Sequence, residues 1–302
     1  HLYRHAAARG RWRSDCLRCR VLNPPCLLLI HPVGVGLSSR FWDRFITYWR
    51  ASDGTTDLLA PDLLGCGRSK HPYQQISPED WASPLIDLLR QHNNGPAVLV
   101  SQGASLPIAL AVLKTAPELV SGLVAISPPS WRILEEPFPT MQAQLLWRLL
   151  FQGALGSLFY RYARRRAFLK TFSVKNLFAN KEGVDAEWLD SLEEEAANMS
   201  TRWATFSFLA GFWRRNWSHQ WRDLKQPVWL LFGVEATGIG RSKYWDDAQE
   251  RIDAYQQQMP NAVSASIRGR NVLPYESTTE CVNQLQNWLL HPSHPNRPSS
   301  NH

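Results

Sequence analysis

Ser101 and Ser105 lie two residues to either side of Gly103 in the stretch VLVSQGASLPIAL, residues 98–110, where an apolar run gives way to a helical pattern. A serine on a sharp strand-to-helix turn can act as a nucleophile if a neighbouring base takes its proton and an acid orients that base. The apex of this turn, three residues after Val100, is Gly103, which suits awkward backbone but has no side chain to attack with. Pro107 places Ser105 in the first helical turn, where a missing N–H costs no internal bond. That leaves Ser105 and Ser101 as fallback nucleophiles, or as turn and capping residues. His31, which ends the run CLLLIHP, is the histidine expected nearest to this turn, and no histidine follows residue 226 until His291.

The elements that must position these residues follow from the hydrophobic pattern. CLLLI, PAVLV, GLVAIS and PVWLLFG are strand-length runs apolar throughout, with shorter strands in DLLAPD and NAVSASIRG. Helical stretches alternate with them: FWDRFITYW, SPEDWASPLIDLLRQH with a serine suited to its N-cap, SLPIALAVLKTAPELV and TTECVNQLQNWLL. Fully apolar strands alternating with helices predict an α/β fold, a mostly parallel sheet covered by helices on both faces. The alternation breaks from Trp131 to Arg222, which is helical in pattern with no strand signal.

Four landmarks in one order resemble the alpha/beta-hydrolase family, in particular its capped members of the epoxide-hydrolase and haloalkane-dehalogenase kind. They are LLLIHPVGVG at 27–36, similar to the family's oxyanion loop with Pro32 where glycine is usual; PDLLGCGRS at 61–69; the turn at 98–110; and RGRNVLPYES at 268–277, similar to the loop that carries the family's histidine. The resemblance implies a core of residues 21–130 and 223–290 with an inserted helical cap at 131–222. The polar, basic residues 1–20 read as an N-terminal extension, and the tail at 291–302, with nothing to bury, is expected to be disordered.

The same resemblance places the family's nucleophile at Gly103, its acid at Ala236 with Glu235 beside it, and its histidine at Val272. None of the three can perform the role. His31 in such a loop is expected to brace it through backbone bonds. The implied protein is a catalytically degenerate hydrolase relative, a pseudoenzyme that binds a small apolar or carboxylate ligand under its cap. His31, Val33, Gly34, Gln102, Gly103, Ala104 and Trp213 are its expected ligand-binding residues. Amide N–H groups at Ala104 and from Pro32 to Gly36 would supply the polar contacts. The cap stretch FSFLAGFWRRNW puts Phe206, Leu209, Ala210 and Trp213 at helical spacing, as a face that would close over the core. An active hydrolase or lyase with a displaced Ser105 or Ser101 is the alternative.

Composition constrains the remainder. The chain has 302 residues, 44% hydrophobic content, 14 tryptophans and a net charge of +7. No run reaches the 18 or more apolar residues of a membrane-spanning helix. The odd number of cysteines (16, 19, 26, 66 and 281) suggests no disulfide framework and fits the cytoplasm. Cys16 and Cys19 have zinc-like spacing without a second pair, so neither a metal nor a cofactor is expected. No nucleic-acid partner is expected either. The stretch FYRYARRRAFLKTF, with Arg164, Arg165, Arg166 and Lys170, reads as a basic aromatic helix face suited to a membrane surface or a protein partner. The acidic DAEWLDSLEEEAAN that follows offers a plainer use, charge pairing between two surface helices. The oligomeric state is open.

Overall fold

A computed structural model describes residues 25–52, 55–92, 94–239 and 247–290. The N-terminal extension, the Cys16/Cys19 pair and the tail from 291 lie outside the described residues. Six parallel strands form one sheet in the order β2-β1-β3-β4-β5-β6: β1 (Leu27–Ile30), β2 (Leu58–Leu59), β3 (Ala97–Gln102), β4 (Val120–Ile126), β5 (Val228–Gly233) and β6 (Val263–Ile267). Strands β1, β3 and β5 are buried at every residue, the consequence of helices on both sheet faces. Leu28, Leu99, Leu123 and Leu230 point into one apolar cluster, and Leu29, Val98, Val124 and Leu231 into a second on the opposite face. The register Leu28↔Leu99, Ser101↔Ala125 and Ile126↔Leu231 brings the strands' C-terminal ends together at one edge.

Helices α1 (Asp43–Ser52), α2 (Pro78–His92) and α3 (Leu106–Thr115) connect the first four strands. The N-terminus of α2 is closed reciprocally, Asp80 N donating to Ser77 Oγ while the Asp80 carboxylate accepts from Ser77 N and Oγ. Helix α3 is buried along almost its whole length, which its continuous apolar sequence requires.

Between β4 and β5 the chain forms α4 (Trp131–Glu135), α5 (Thr140–Leu146) continued by a π-turn (Trp147–Phe151), α6 (Ala154–Ala163), α7 (Arg166–Asn176), α8 (Ala186–Ala196), α9 (Arg202–Leu209) and α10 (Ser218–Arg222). This segment has its own core of Trp147, Phe151, Tyr160, Ala196, Trp203, Phe206 and Ala210. Its two ends pack elsewhere. Trp131 of α4 and Trp221 of α10 meet each other and Tyr255 edge-on at 5.1–6.2 Å, inside the main core. Trp131 and Trp221 thus anchor the two ends of this segment in the main core. The fold closes with α11 (Ala248–Gln258), α12 (Leu273–Glu276) and α13 (Thr278–Leu290).

The single basic helix expected over 159–172 is two helices, broken at Arg164 and Arg165. Arg164 turns back to donate to the Ala196 and Ala197 carbonyls at the end of α8, and Arg166 pairs with Asp190 and Glu193. Charge pairing between adjacent helices thus uses one of the four basic residues, Arg166, and a second, Arg164, caps the backbone of α8.

Candidate functional site

Strand β3 ends at Gln102 and α3 begins at Leu106, so the turn between them must reverse direction within three residues. Gly103 makes this possible with φ +59°, a left-handed conformation that costs an L-residue about 1–2 kcal/mol. A Cβ built at Gly103 would meet one atom within 4 Å, the Ser127 carbonyl oxygen at 3.9 Å. The turn therefore has the strained geometry of a nucleophile's seat, with open space where the side chain would stand.

Both fallback serines are committed to backbone. Ser105 Oγ accepts the Gln102 N–H at 3.0 Å, and its proton is directed to the Gln102 carbonyl at 2.9 Å or the Ile30 carbonyl at 3.2 Å. Ser101 Oγ donates to the Val124 carbonyl across the sheet at 3.3 Å. Both are 1% exposed, and neither hydroxyl has an imidazole or carboxylate partner among the described residues. Their environment provides turn closure and sheet bonding.

His31 also uses both ring nitrogens. Nδ1–H donates to the Pro32 carbonyl at 2.9 Å, and Nε2 accepts the Leu63 N–H at 3.0 Å. Complete burial lowers its pKa to about 4, outweighing the Pro32 carbonyl and the nearby Asp62 charge, which both favour the protonated ring. The imidazole is neutral at physiological pH, its one lone pair is occupied, and it ties the loop at 31–36 to the turn at 61–69. Burial also disfavours the charged form of Asp62, but N–H bonds from Arg68 and Ser39, both 2.8 Å, hold its pKa below the usual carboxylate range. Gly67 must be glycine here, because a Cβ would fall 2.3 Å from the Asp62 carboxylate.

The remaining two positions are apolar and buried. Ala236 closes a turn after β5, its N–H on the Gly233 carbonyl, and Val272 precedes α12 within the second core cluster. Glu235 beside Ala236 accepts the Gly269 N–H at 2.7 Å and so braces the 268–277 loop. Gln102 reaches the same loop, Nε2 donating to the Asn271 carbonyl at 2.6 Å.

Sequence reasoning missed Ser127. It follows β4 with φ +45°, the only non-glycine residue at positive φ among the described residues, and its buried hydroxyl has no hydrogen-bond partner. Ser130 Oγ in the same loop is likewise buried without a partner among the described residues. The sequence SPPS carried no signal for Ser127, because the positive φ of a serine is set by how the loop meets the neighbouring strand, Ser127 N–H donating to the Leu231 carbonyl.

Of the other expected ligand-binding residues, Val33 is buried in the first core cluster and Gly34 accepts the Leu37 N–H in a turn. Trp213 stacks on Phe208 at 5.2 Å and donates to its carbonyl, and its own carbonyl accepts the Trp217 indole N–H at 3.0 Å. The expected covering face at 206–213 is divided: Phe206 and Ala210 are buried in the helical segment's own core, and Leu209 is exposed. That segment sits tightly on the loops below. A Cβ at Gly36 would lie 2.1 Å from the Leu192 carbonyl oxygen, and one at Gly65 2.7 Å from Ala204 Cβ. Two surface clefts lie elsewhere, one of about 540 Å³ between α7 and α8 and one of about 430 Å³ beside Asp57 and His92.

Residues 27–283 match the profile of the alpha/beta hydrolase family. No curated protein matches the chain. Among solved structures, an esterase from Thermogutta terrifontis with malate bound is 16% identical with a TM-score of 0.67, over 89% of this chain and 90% of the other. A bromoperoxidase from Bacillus anthracis is 17% identical with a TM-score of 0.66, over 89% and 92%. At such identities the likeness is one of fold.

Proposed function

The chain belongs to the alpha/beta hydrolase family, and on that premise we propose that it is a non-hydrolytic member that binds a small carboxylate or carbonyl compound at the C-terminal edge of its sheet. The observation that carries this reading is Gly103: a left-handed turn apex with open space above it and no side chain. Around it, Ser105, Ser101 and His31 have every relevant polar atom bonded to backbone, and positions 236 and 272 hold alanine and valine. Acyl transfer needs a nucleophile, a base and an orienting acid acting as a unit, and a site without them keeps binding and the small residual acceleration that binding and oxyanion contacts supply.

The orphan hydroxyls of Ser127 and Ser130 favour a polar ligand. A buried hydroxyl without a partner costs about 1–3 kcal/mol, which an oxygen of a bound carboxylate or carbonyl would recover. The close seating of Leu192 and Ala204 on the glycine turns favours a small ligand over an extended apolar one. The cytoplasm is the compartment we propose, and the free buried thiols of Cys26, Cys66 and Cys281 suit it.

The test is a thermal-shift panel of short carboxylic acids, malate among them, and their methyl esters, on the wild-type protein and Ser127→Ala. The reading expects stabilisation of the wild type by at least one acid and loss of that stabilisation in the variant. No stabilisation, or the same stabilisation in both proteins, would overturn it.

A further inference from the structure

A helix on a protein surface normally has one apolar stripe facing the core and a polar face outward. The hairpin of α5, its π-turn and α6 departs from this. Ala143, Trp147 and Phe151 form its buried stripe, and Met141, Leu145 and Leu149, also four residues apart, form a second stripe that points to solvent. Helix α6 repeats the pattern: Gly156, Tyr160 and Ala163 are buried while Leu155, Leu158, Phe159 and Tyr162 are exposed. The exposure is large, 83% for Met141, 67% for Leu149, 60% for Leu155 and 61% for Leu158. Gly156 lets the two arms meet closely, with the Phe151 carbonyl where its Cβ would be. The apolar surface continues through Tyr162 and Phe168, 5.3 Å apart, to Phe172. Scattered exposed leucines are ordinary, but paired stripes on adjacent helices mark a covered surface.

The charge around these stripes says what covers them. Between Glu136 and Glu182 the chain has no acidic residue, and it carries Arg148, Arg161, Arg164, Arg165, Arg166, Lys170, Lys175 and Lys181. Arg164 and Arg166 are held by α8, whereas Arg148, Arg161, Arg165 and Lys170 are exposed beside the apolar side chains. A second copy of the chain would set two such basic faces against each other. The chain's first 24 residues carry six arginines and one aspartate, so they too would be repelled. Apolar side chains ringed by cations suit an anionic lipid surface, into which the leucines insert while the arginines stay at the headgroups. We propose that the α5–α6 hairpin is a peripheral membrane-docking element selective for anionic phospholipid bilayers. This goes beyond the ligand reading and does not rest on it.

The test is co-sedimentation of the full chain with phosphatidylcholine vesicles, with and without about one quarter phosphatidylglycerol. The wild type should bind the anionic vesicles at least about tenfold more tightly than the neutral ones, a preference that salt weakens. Leu149→Glu combined with Leu155→Glu and Leu158→Glu should abolish binding to both, with the circular dichroism spectrum and melting temperature kept, since all three side chains are exposed. Arg148→Glu combined with Arg161→Glu should remove the preference for anionic lipid. Absence of wild-type binding, or undiminished binding by the leucine variant, would overturn the proposal. So would sedimentation velocity showing a wild-type dimer that the leucine variant converts to monomer, because a second copy would then be the occupant.

Discussion

Gly103 and Ser127 face each other across the ends of β3 and β4, both in left-handed backbone, with the Ser127 carbonyl 3.9 Å from where a Cβ of residue 103 would sit. Gly103→Ser therefore has room for its side chain and pays only for its φ. The expected outcome is a folded protein destabilised by about 1–2 kcal/mol with no gain in ester hydrolysis, since Ala236 and Val272 still supply neither acid nor base. Denaturant unfolding and an ester assay on the same sample check both halves.

Ser105→Ala should act as a structural mutation. It removes the acceptor of the Gln102 N–H inside the turn, and a buried donor left unpaired costs roughly 1–3 kcal/mol. A stability loss in that range, without change in any reactivity, is the expected result of denaturant titration.

His31 predicts a particular acid sensitivity. Its folded pKa of about 4 lies below the ordinary 6.5 because burial disfavours the imidazolium. The unfolded chain therefore takes up the proton first, and stability is lost as pH falls from 6.5 toward 4, by up to roughly 1.4 kcal/mol per pH unit and about 3 kcal/mol in total. Asp62, held below its ordinary range, adds a loss in the same direction at still lower pH. Unfolding curves measured from neutral pH downward should show this slope, and a His31→Asn variant should start less stable and lack it.

Gly36 and Gly95 separate backbone strain from close approach. Both have positive φ, but a Cβ at Gly36 meets the Leu192 backbone while one at Gly95 meets nothing. Gly95→Ala should cost about 1 kcal/mol from its φ alone. Gly36→Ala should cost about 3 kcal/mol or more, because α8 has to lift off the loop. Melting temperatures of the two variants give the comparison.

The sheet was legible in the sequence because its strands are buried on both faces, so runs such as VWLLF and AVLV need no periodicity to be recognised. The turn at Gly103 was legible from Val100 and Pro107 on either side. The partners of His31 were legible only in kind, since the Leu63 N–H comes from a loop that sequence places 32 residues away. Ser127 was not legible at all: positive φ at a serine depends on how the SPPS loop meets β5, through Ser127 N on the Leu231 carbonyl. The double apolar face of α5 was likewise hidden, because leucines at one helical spacing read as core whichever side they occupy.

The central claim is that no serine here is a nucleophile. Intact-mass analysis after treatment with a broad fluorophosphonate tests it most directly, on the wild type beside Ser105→Ala and Ser101→Ala. The account predicts an unmodified wild-type mass. A single phosphonate adduct that disappears in one of the alanine variants would contradict it and identify that serine as the displaced nucleophile.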